Sequence, residues 1–515
     1  MSDVLLGQAY YLRFDPKLWA AMEPYPPLGA LYAASVLRAR GFDVALFDSM
    51  LAGSEEEWAA ALERHRPRFA VLFEDSFNYL TKMCLLRMRE AAFTMTRMAR
   101  ERGCEVVVAG SDATDNAEQY LERGARVVLL GEGEESLGEV VDRLAGRSGT
   151  PLEGIPGTAC ADPARPGSWR CTPRRPVIRH LDALPFPAWD LVDMERYRAI
   201  WLERHGRFSL NLVTTRGCPY HCTWCAKPLW GQRYAVRSAE NVADELELLV
   251  ARYRPGHLWF MDDILGLEPG WLARFADLVV ARDLVRPFKC LTRPDLVLRE
   301  GTVDALRRAG CETVWMGAES GSQRVLDAME KGTTVEQIHE ATGRLHAAGI
   351  AVAFFVQFGY PGETRADVEL TLEMIRFSRP DDVGMSVSYP LPGTPFYERV
   401  HDQLGAKRHW VDSADLDMMY AGPFGTDFYR QLHTVLHTEL RARRRARELL
   451  FLARRPWRLR PRHALQAAGA AVRWARLPLE RWRLEALARR PHSGVGPLPP
   501  ALDHDQAASP SPQPG

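Results

Sequence analysis

The chain has 515 residues, 46% of them hydrophobic, enough to bury the cores of two to four domains. Its 66 basic residues are matched by 66 acidic ones, so the overall charge asks for no polyanionic partner, and no specific nucleic-acid binding is expected. The start, Met1-Ser2-Asp3-Val4-Leu5-Leu6, lacks the basic stretch and cleavage site of a signal peptide, and no uncharged run is long enough to span a bilayer, so a cytoplasmic protein with nine reduced cysteines is expected.

Residues 1–145 alternate short apolar runs with helical patterns, as a parallel sheet flanked by helices does. Strands are predicted over Val4–Tyr10, Asp43–Phe47, Phe69–Phe73, Glu105–Ala109 and Arg126–Leu130, which makes an α/β domain of the flavodoxin-like (Rossmann) kind. Open sheets of this type bind ligands at the carboxyl ends of their strands. Those ends read Asp48-Ser49, Glu74-Asp75-Ser76, Gly110-Ser111 and Gly131-Glu132-Gly133-Glu134, small and polar residues that let a phosphate- or amide-bearing cofactor approach the backbone. Residues 146–205 are rich in proline, glycine and arginine and read as a linker with a possible hairpin. Cys160 and Cys171 fall there, and two thiols alone complete no metal site.

A strand-like run, Phe208 to Val213, leads into Cys218, Cys222 and Cys225, spaced C-x3-C-x2-C on one loop. A [4Fe-4S] cluster normally takes four thiolates, so this triad leaves one iron open to something other than protein. A structural zinc site would need a second cysteine pair or well-placed histidines, and none follows. After the loop, Ser238 caps a helix whose Val242, Leu246, Leu249 and Tyr253 share one face. Strands over His257–Met261, Phe288–Leu291, Thr313–Met316, Ala351–Phe358 and Gly384–Ser388 then alternate with helices, which predicts a partial (β/α)6 barrel of TIM type over residues 206–400. Asp262, Asp263, Arg293, Glu319, Ser320 and Gln357 follow strands, where such a barrel places its active site.

The segment Thr215 to Pro228, with Trp224 before the third cysteine, resembles the cluster loop of the radical S-adenosylmethionine (SAM) enzymes. The resemblance implies that Cys218, Cys222 and Cys225 hold the cluster, that SAM binds the open iron, and that its reductive cleavage yields a 5′-deoxyadenosyl radical. It places Trp224 beside the adenine, Asp262 or Asp263 at the methionyl ammonium, and Arg293 and Glu319 at the carboxylate and ribose. The N-terminal half is similar to the cobalamin-binding domain of one large subgroup, through Pro26-Pro27-Leu28-Gly29, Gly110-Ser111 and Gly131-Glu132-Gly133-Glu134. Pro27, Gly29, Asp48, Ser49, Gly110, Ser111, Gly131, Glu132 and Gly133 are thus carried as cobalamin contacts. Where corrinoid proteins that ligate cobalt from below show D-x-H-x-x-G, this chain has Asp48-Ser49-Met50-Leu51-Ala52-Gly53, so no histidine lies beneath the metal; Met50 either faces the cofactor or packs.

Residues 401–490 form a helical region that turns arginine-rich from Arg441, with Trp457, Trp474 and Trp482 interleaved, and residues 491–515 read as a disordered tail. This region resembles the branch that includes the anaerobic magnesium-protoporphyrin monomethyl ester cyclase. His433 and His437, four apart, mark a metal pair, a substrate contact or a groove wall. The arginines form a solvated face, or touch an acidic partner or a membrane surface. The expected protein is a cobalamin-dependent radical SAM methyltransferase acting on a small molecule, fed electrons by a flavodoxin or ferredoxin. A radical cyclase and a non-catalytic corrinoid or iron-sulfur carrier are the alternatives.

Overall fold

The computed structural model describes residues 2–77, 85–165, 167–225, 229–453 and 461–490. Five parallel strands, β1 (Val4–Gly7), β2 (Val44–Leu46), β3 (Phe69–Phe73), β4 (Glu105–Ala109) and β5 (Val127–Leu129), pair in the order β2-β1-β3-β4-β5. This is the flavodoxin-like order expected. Alternation along each strand sends residues to two helical layers. Leu5, Leu72, Val108 and Val128 pack on Trp58, Leu62 and Met95, while Leu6, Val71, Val107 and Leu129 pack on Leu37, Leu137 and Val141. β1 ends three residues earlier than predicted, so Gln8, Ala9 and Tyr10 cross the carboxyl edge of the sheet.

The hairpin between residues 146 and 205 is present as β6 (Thr158–Ala161) and β7 (Trp169–Cys171), and it is more than a linker: β6 adds antiparallel to β5, β7 adds antiparallel to β6, and the two carry the first sheet past residue 145. Cys160 and Cys171 lie on these strands as free thiols. Helix Met194–His205 then leads into the second sheet.

That sheet has six parallel strands in the order β8 (Ser209–Leu212), β11 (His257–Phe260), β12 (Phe288–Thr292), β13 (Cys311–Glu319), β14 (Ala351–Phe358) and β15 (Asp382–Val387). A two-stranded ribbon of β9 (Thr215–Arg216) and β10 (Ala235–Val236) brackets the cysteine loop. Leu210, Phe260, Phe288, Val314 and Phe354 face outward into one core with Val242, Leu246, Leu249 and Ile338 of the surrounding helices. Ser238 accepts the Asn241 amide as the predicted cap. The same core takes in Tyr25, Leu28, Tyr32 and Tyr197, so the two sheets share apolar packing. Helices Thr426–Ala453 and Pro461–Ala488 pack as an antiparallel pair, with Asp427 facing Arg490 at one end and Arg443 over the Trp474 ring further along. Trp457 and the tail 491–515 lie outside the described residues.

Candidate active site at two facing sheet ends

The cysteine loop is shaped by contacts that its own sequence makes. Gly217 opens it at φ 76°, and a Cβ there would lie 2.2 Å from the Arg233 carbonyl oxygen, so only glycine fits. Thr223 pins the middle: its amide donates to the Met329 carbonyl at 3.0 Å, its hydroxyl meets Tyr360 Oη at 2.9 Å, and its carbonyl accepts from the Phe396 amide at 3.0 Å. Cys222 is buried and Cys218 and Cys225 are half-buried. Trp224 packs against the cluster of Met329, Tyr360 and Phe396, and its buried indole N–H has no acceptor among the described residues.

Around the loop the barrel ends are tightly paired. Asp262 is buried and accepts from the Thr214 amide (2.7 Å), the Thr214 hydroxyl (2.7 Å) and the Thr215 amide (2.8 Å), and burial pushes its pKa up to about 6 despite these bonds. Its oxygens therefore fix the chain entering β9; Asp263 beside it, the other of the two expected at the methionyl ammonium, is half-buried. The Arg293 guanidinium stacks 3.6 Å over the Tyr220 ring and donates to Asp295, which also accepts from the Tyr220 hydroxyl. Glu319 sits at a bulge in β13 with φ 57° and pairs at 2.8 Å with Lys331, both buried. Burial alone would lower the Lys331 pKa, but Glu319 and nearby Cys222 outweigh it and hold the ammonium above its ordinary range. Gln357 donates to Ser388. The Ser320 hydroxyl meets Thr371 on helix Arg365–Ser378 and accepts from the Ser322 amide, so it holds a turn.

The carboxyl end of the first sheet is built differently. Gly29 has the Asp75 Cα and the Glu74 carbonyl 3.1 Å from where a Cβ would stand, and Gly110, at φ 148°, has the Glu74 side chain at 2.7 Å. Gly133 abuts the Phe73 ring in the same way, and Pro27 and Ser111 each stand at a helix start. Glu74 accepts the Ala9 amide at 2.7 Å, and burial raises its carboxyl to about 8, which leaves it neutral at physiological pH. Gln8 is 1% exposed, and neither atom of its carboxamide has a partner among the described residues. It lies at the end of β1, beside β3, where the strand order reverses.

Two residues expected to touch the cofactor also make bonds within the chain. Asp48 accepts from Tyr197 Oη at 2.8 Å and from the Met50 amide, tying helix Met194–His205 to the first sheet, and Ser49 donates to the Tyr10 carbonyl. Met50 packs in the shared core. The His433 and His437 rings lie 4.2 Å apart and tilted, burial, with Lys17 and Arg441 nearby, lowers both pKa values, and no third ligating side chain joins them among the described residues.

One buried ion pair joins the two sheet ends. Arg216, two residues before Cys218, pairs with Glu132 and with Glu134 (2.8 Å), all three about 5% exposed or less on their side chains, and lies over the Tyr32 and Phe77 rings. Glu132 also accepts the Ile178 amide, so its carboxylate serves the domain junction. A Cβ on Gly131 would stand 3.7 Å from the Leu229 carbonyl, just beyond the cysteine loop. Arg216 and Lys331 escaped the sequence reading because each acts through a partner far along the chain; the one available signal was the position of Arg216 directly before the triad.

The residues fit the cofactors the motif implies. Three thiols on one pinned loop, with a buried ammonium close to Cys222, suit a cubane in which each of three irons takes one thiolate. The buried, unpaired Gln8 carboxamide suits cobalamin, whose rim carries carboxamides.

Comparison with known proteins agrees. Residues 212–375 match the model of the radical SAM superfamily and residues 21–141 that of the B12 binding domain. The chain is 29% identical to an uncharacterised methyltransferase of Pyrococcus horikoshii, over 76% of this chain and 82% of that protein. It is 26% identical to the anaerobic magnesium-protoporphyrin IX monomethyl ester cyclase of Rubrivivax gelatinosus, over 74% and 67%. In fold it is similar to the radical S-adenosylmethionine methyltransferase TsrM from Kitasatospora setae, solved with cobalamin and a [4Fe-4S] cluster, at TM-score 0.62 and 21% identity over 78% of this chain and 75% of that one.

The chain thus carries a radical SAM domain preceded by a B12-binding domain. It is a radical SAM enzyme, and the cofactors of these two domains are a [4Fe-4S] cluster, SAM and cobalamin.

Proposed function

We propose that the protein transfers a methyl group to an unactivated carbon of a small-molecule substrate held between the two sheet ends. The observation that carries this reading is the buried Arg216–Glu132–Glu134 junction, which holds the cysteine loop against the carboxyl end of the cobalamin sheet. When bound, the cluster supplies the electron that cleaves SAM to a 5′-deoxyadenosyl radical, and cobalamin supplies the methyl group.

The chain's own residues position and exclude. Thr223 and Gly217 fix the loop, Lys331 places positive charge beside Cys222, and Arg293, oriented by Asp295 and Tyr220, offers a guanidinium to the SAM carboxylate. Asp263 and Trp224 serve the ammonium and adenine. Gly29, Gly110 and Gly131 admit the corrin rim, with Gln8 hydrogen-bonding a carboxamide. A flavodoxin or ferredoxin delivers the electron. The cyclase relative from Rubrivivax gelatinosus supports a second reading, in which the radical starts ring oxidation and no methyl group moves.

The test is anaerobic. Protein reconstituted with iron, sulfide and cobalamin is given SAM and a strong reductant, and 5′-deoxyadenosine and S-adenosylhomocysteine are measured by mass spectrometry. Both products are expected; 5′-deoxyadenosine without S-adenosylhomocysteine favours the cyclase reading. Cys222→Ala is expected to form no 5′-deoxyadenosine, and its persistent formation by a cluster-free variant would sink the assignment.

A further inference from the structure

The C-terminal helix pair carries a surface that the cofactor sites do not use. Residues 441–490 hold sixteen arginines against three acidic residues, so a chain that is neutral overall gathers basic charge here and is acidic elsewhere. On helix Pro461–Ala488 the inward face is Ala470, Leu477 and Leu484, with Glu480 buried beside them and accepting from Gln431. The opposite face is exposed and apolar: Val472, Ala475, Leu479, Trp482 and Ala486. At helical spacing these five fall within one arc of about 80°. Val472, Leu479 and Trp482 are 57%, 48% and 67% exposed, and no acidic residue interrupts the arc.

Arg476, Arg483 and Arg490, seven apart, run along one border of this stripe. Their side chains are more than half exposed, and the carboxylates nearest them stand at 3.5, 3.4 and 4.0 Å. Single exposed apolar residues are ordinary on a soluble protein; a stripe several turns long with an arginine border is not.

We propose that this face docks the enzyme on an anionic membrane surface, the helix lying in the plane of the interface. Val472, Leu479 and Trp482 then enter the headgroup–acyl boundary while the arginines meet lipid phosphates. Charge and apolarity together favour this occupant. A nucleic acid would satisfy the arginines but leave Val472 and Leu479 facing water. No helix of the described residues is long and apolar enough to cross a membrane, so the contact is peripheral.

The test uses the full-length, cluster-loaded protein, sedimented with vesicles of phosphatidylcholine alone or of phosphatidylcholine and phosphatidylglycerol in equal parts. Capture by the anionic vesicles only, weakening with salt, is expected. Arg476→Glu/Arg483→Glu should reduce it about 30-fold or more, and Leu479→Ser/Trp482→Ser should remove it. Leu479 and Trp482 are outside every core, whereas Arg476 and Arg483 both face the buried Glu480, so circular dichroism and 5′-deoxyadenosine formation should be unchanged in the Leu479→Ser/Trp482→Ser variant, which separates this inference from the proposed reaction. Equal capture by both vesicles would overturn the proposal. So would failure to bind the anionic vesicles, with or without self-association, RNA binding or polyglutamate binding through the same residues.

Discussion

The carboxyl ends of the two sheets serve one reaction and are finished to different degrees. At the barrel end the charged groups are matched by the protein itself: Asp262 by Thr214 and Thr215, Glu319 by Lys331, Arg293 by Asp295. At the end of the first sheet, Glu74 is held neutral, the Gln8 carboxamide is buried without a partner, and glycines stand where any side chain would collide. Buried polar groups are rarely left unpaired in a native protein, so one end reads as a rigid frame around a small inserted cluster and the other as a mould for a large neutral ligand.

That contrast can be broken at the junction first. Arg216→Gln leaves Glu132 and Glu134 buried without their cation, and a loss of about 3–5 kcal/mol is expected in urea unfolding, with the two halves melting separately. An unchanged, single transition would mean the junction is incidental. The mould is tested next by Gly110→Ala, whose methyl would stand 2.7 Å from Glu74. A cost of about 1–3 kcal/mol is expected, with poor cobalamin retention after gel filtration read from the visible spectrum and no change in cluster content.

Glu74 sharpens the comparison through pH. Its carboxyl, raised by burial from 4.5 to about 8, stays protonated in the native state while the unfolded chain ionises. The contribution of Glu74 to native stability is therefore full below pH 4.5 and falls as pH rises from there to about 8. Glu74→Gln keeps an acceptor for the Ala9 amide and should flatten that slope, gaining about 1–3 kcal/mol at pH 8 and little at pH 4.5. The smallest effect is expected in the frame: Thr223→Val removes the hydroxyl between Met329 and Tyr360 and should cost about 1 kcal/mol, with faster loss of cluster absorbance in air.

Much of this architecture was legible in the sequence because it rests on local pattern. Strand positions followed from apolar runs, the cap at Ser238 from residue type, and the cysteine loop from spacing. The roles of individual acids were not legible. Asp262 and Asp263 are neighbours of one type, and only the fold turns the first onto the Thr214 and Thr215 amides. Glu132 and Ser320 follow strands as ligand contacts would, yet their partners, Arg216 and Thr371, lie far away in sequence. The hairpin was visible; that it would extend the first sheet depended on the free edge of β5, which no local pattern records.

The Arg216 junction also limits how this enzyme can be re-engineered. The two halves look like exchangeable modules, but the basic residue is on one and both acids are on the other. A chimera that imports a foreign cobalamin domain without equivalents of Glu132 and Glu134 would strand a guanidinium in a dry interface beside the first cluster cysteine. Domain shuffling in this architecture must therefore move the acids and the cofactor glycines as a set, or neutralise Arg216 in the recipient.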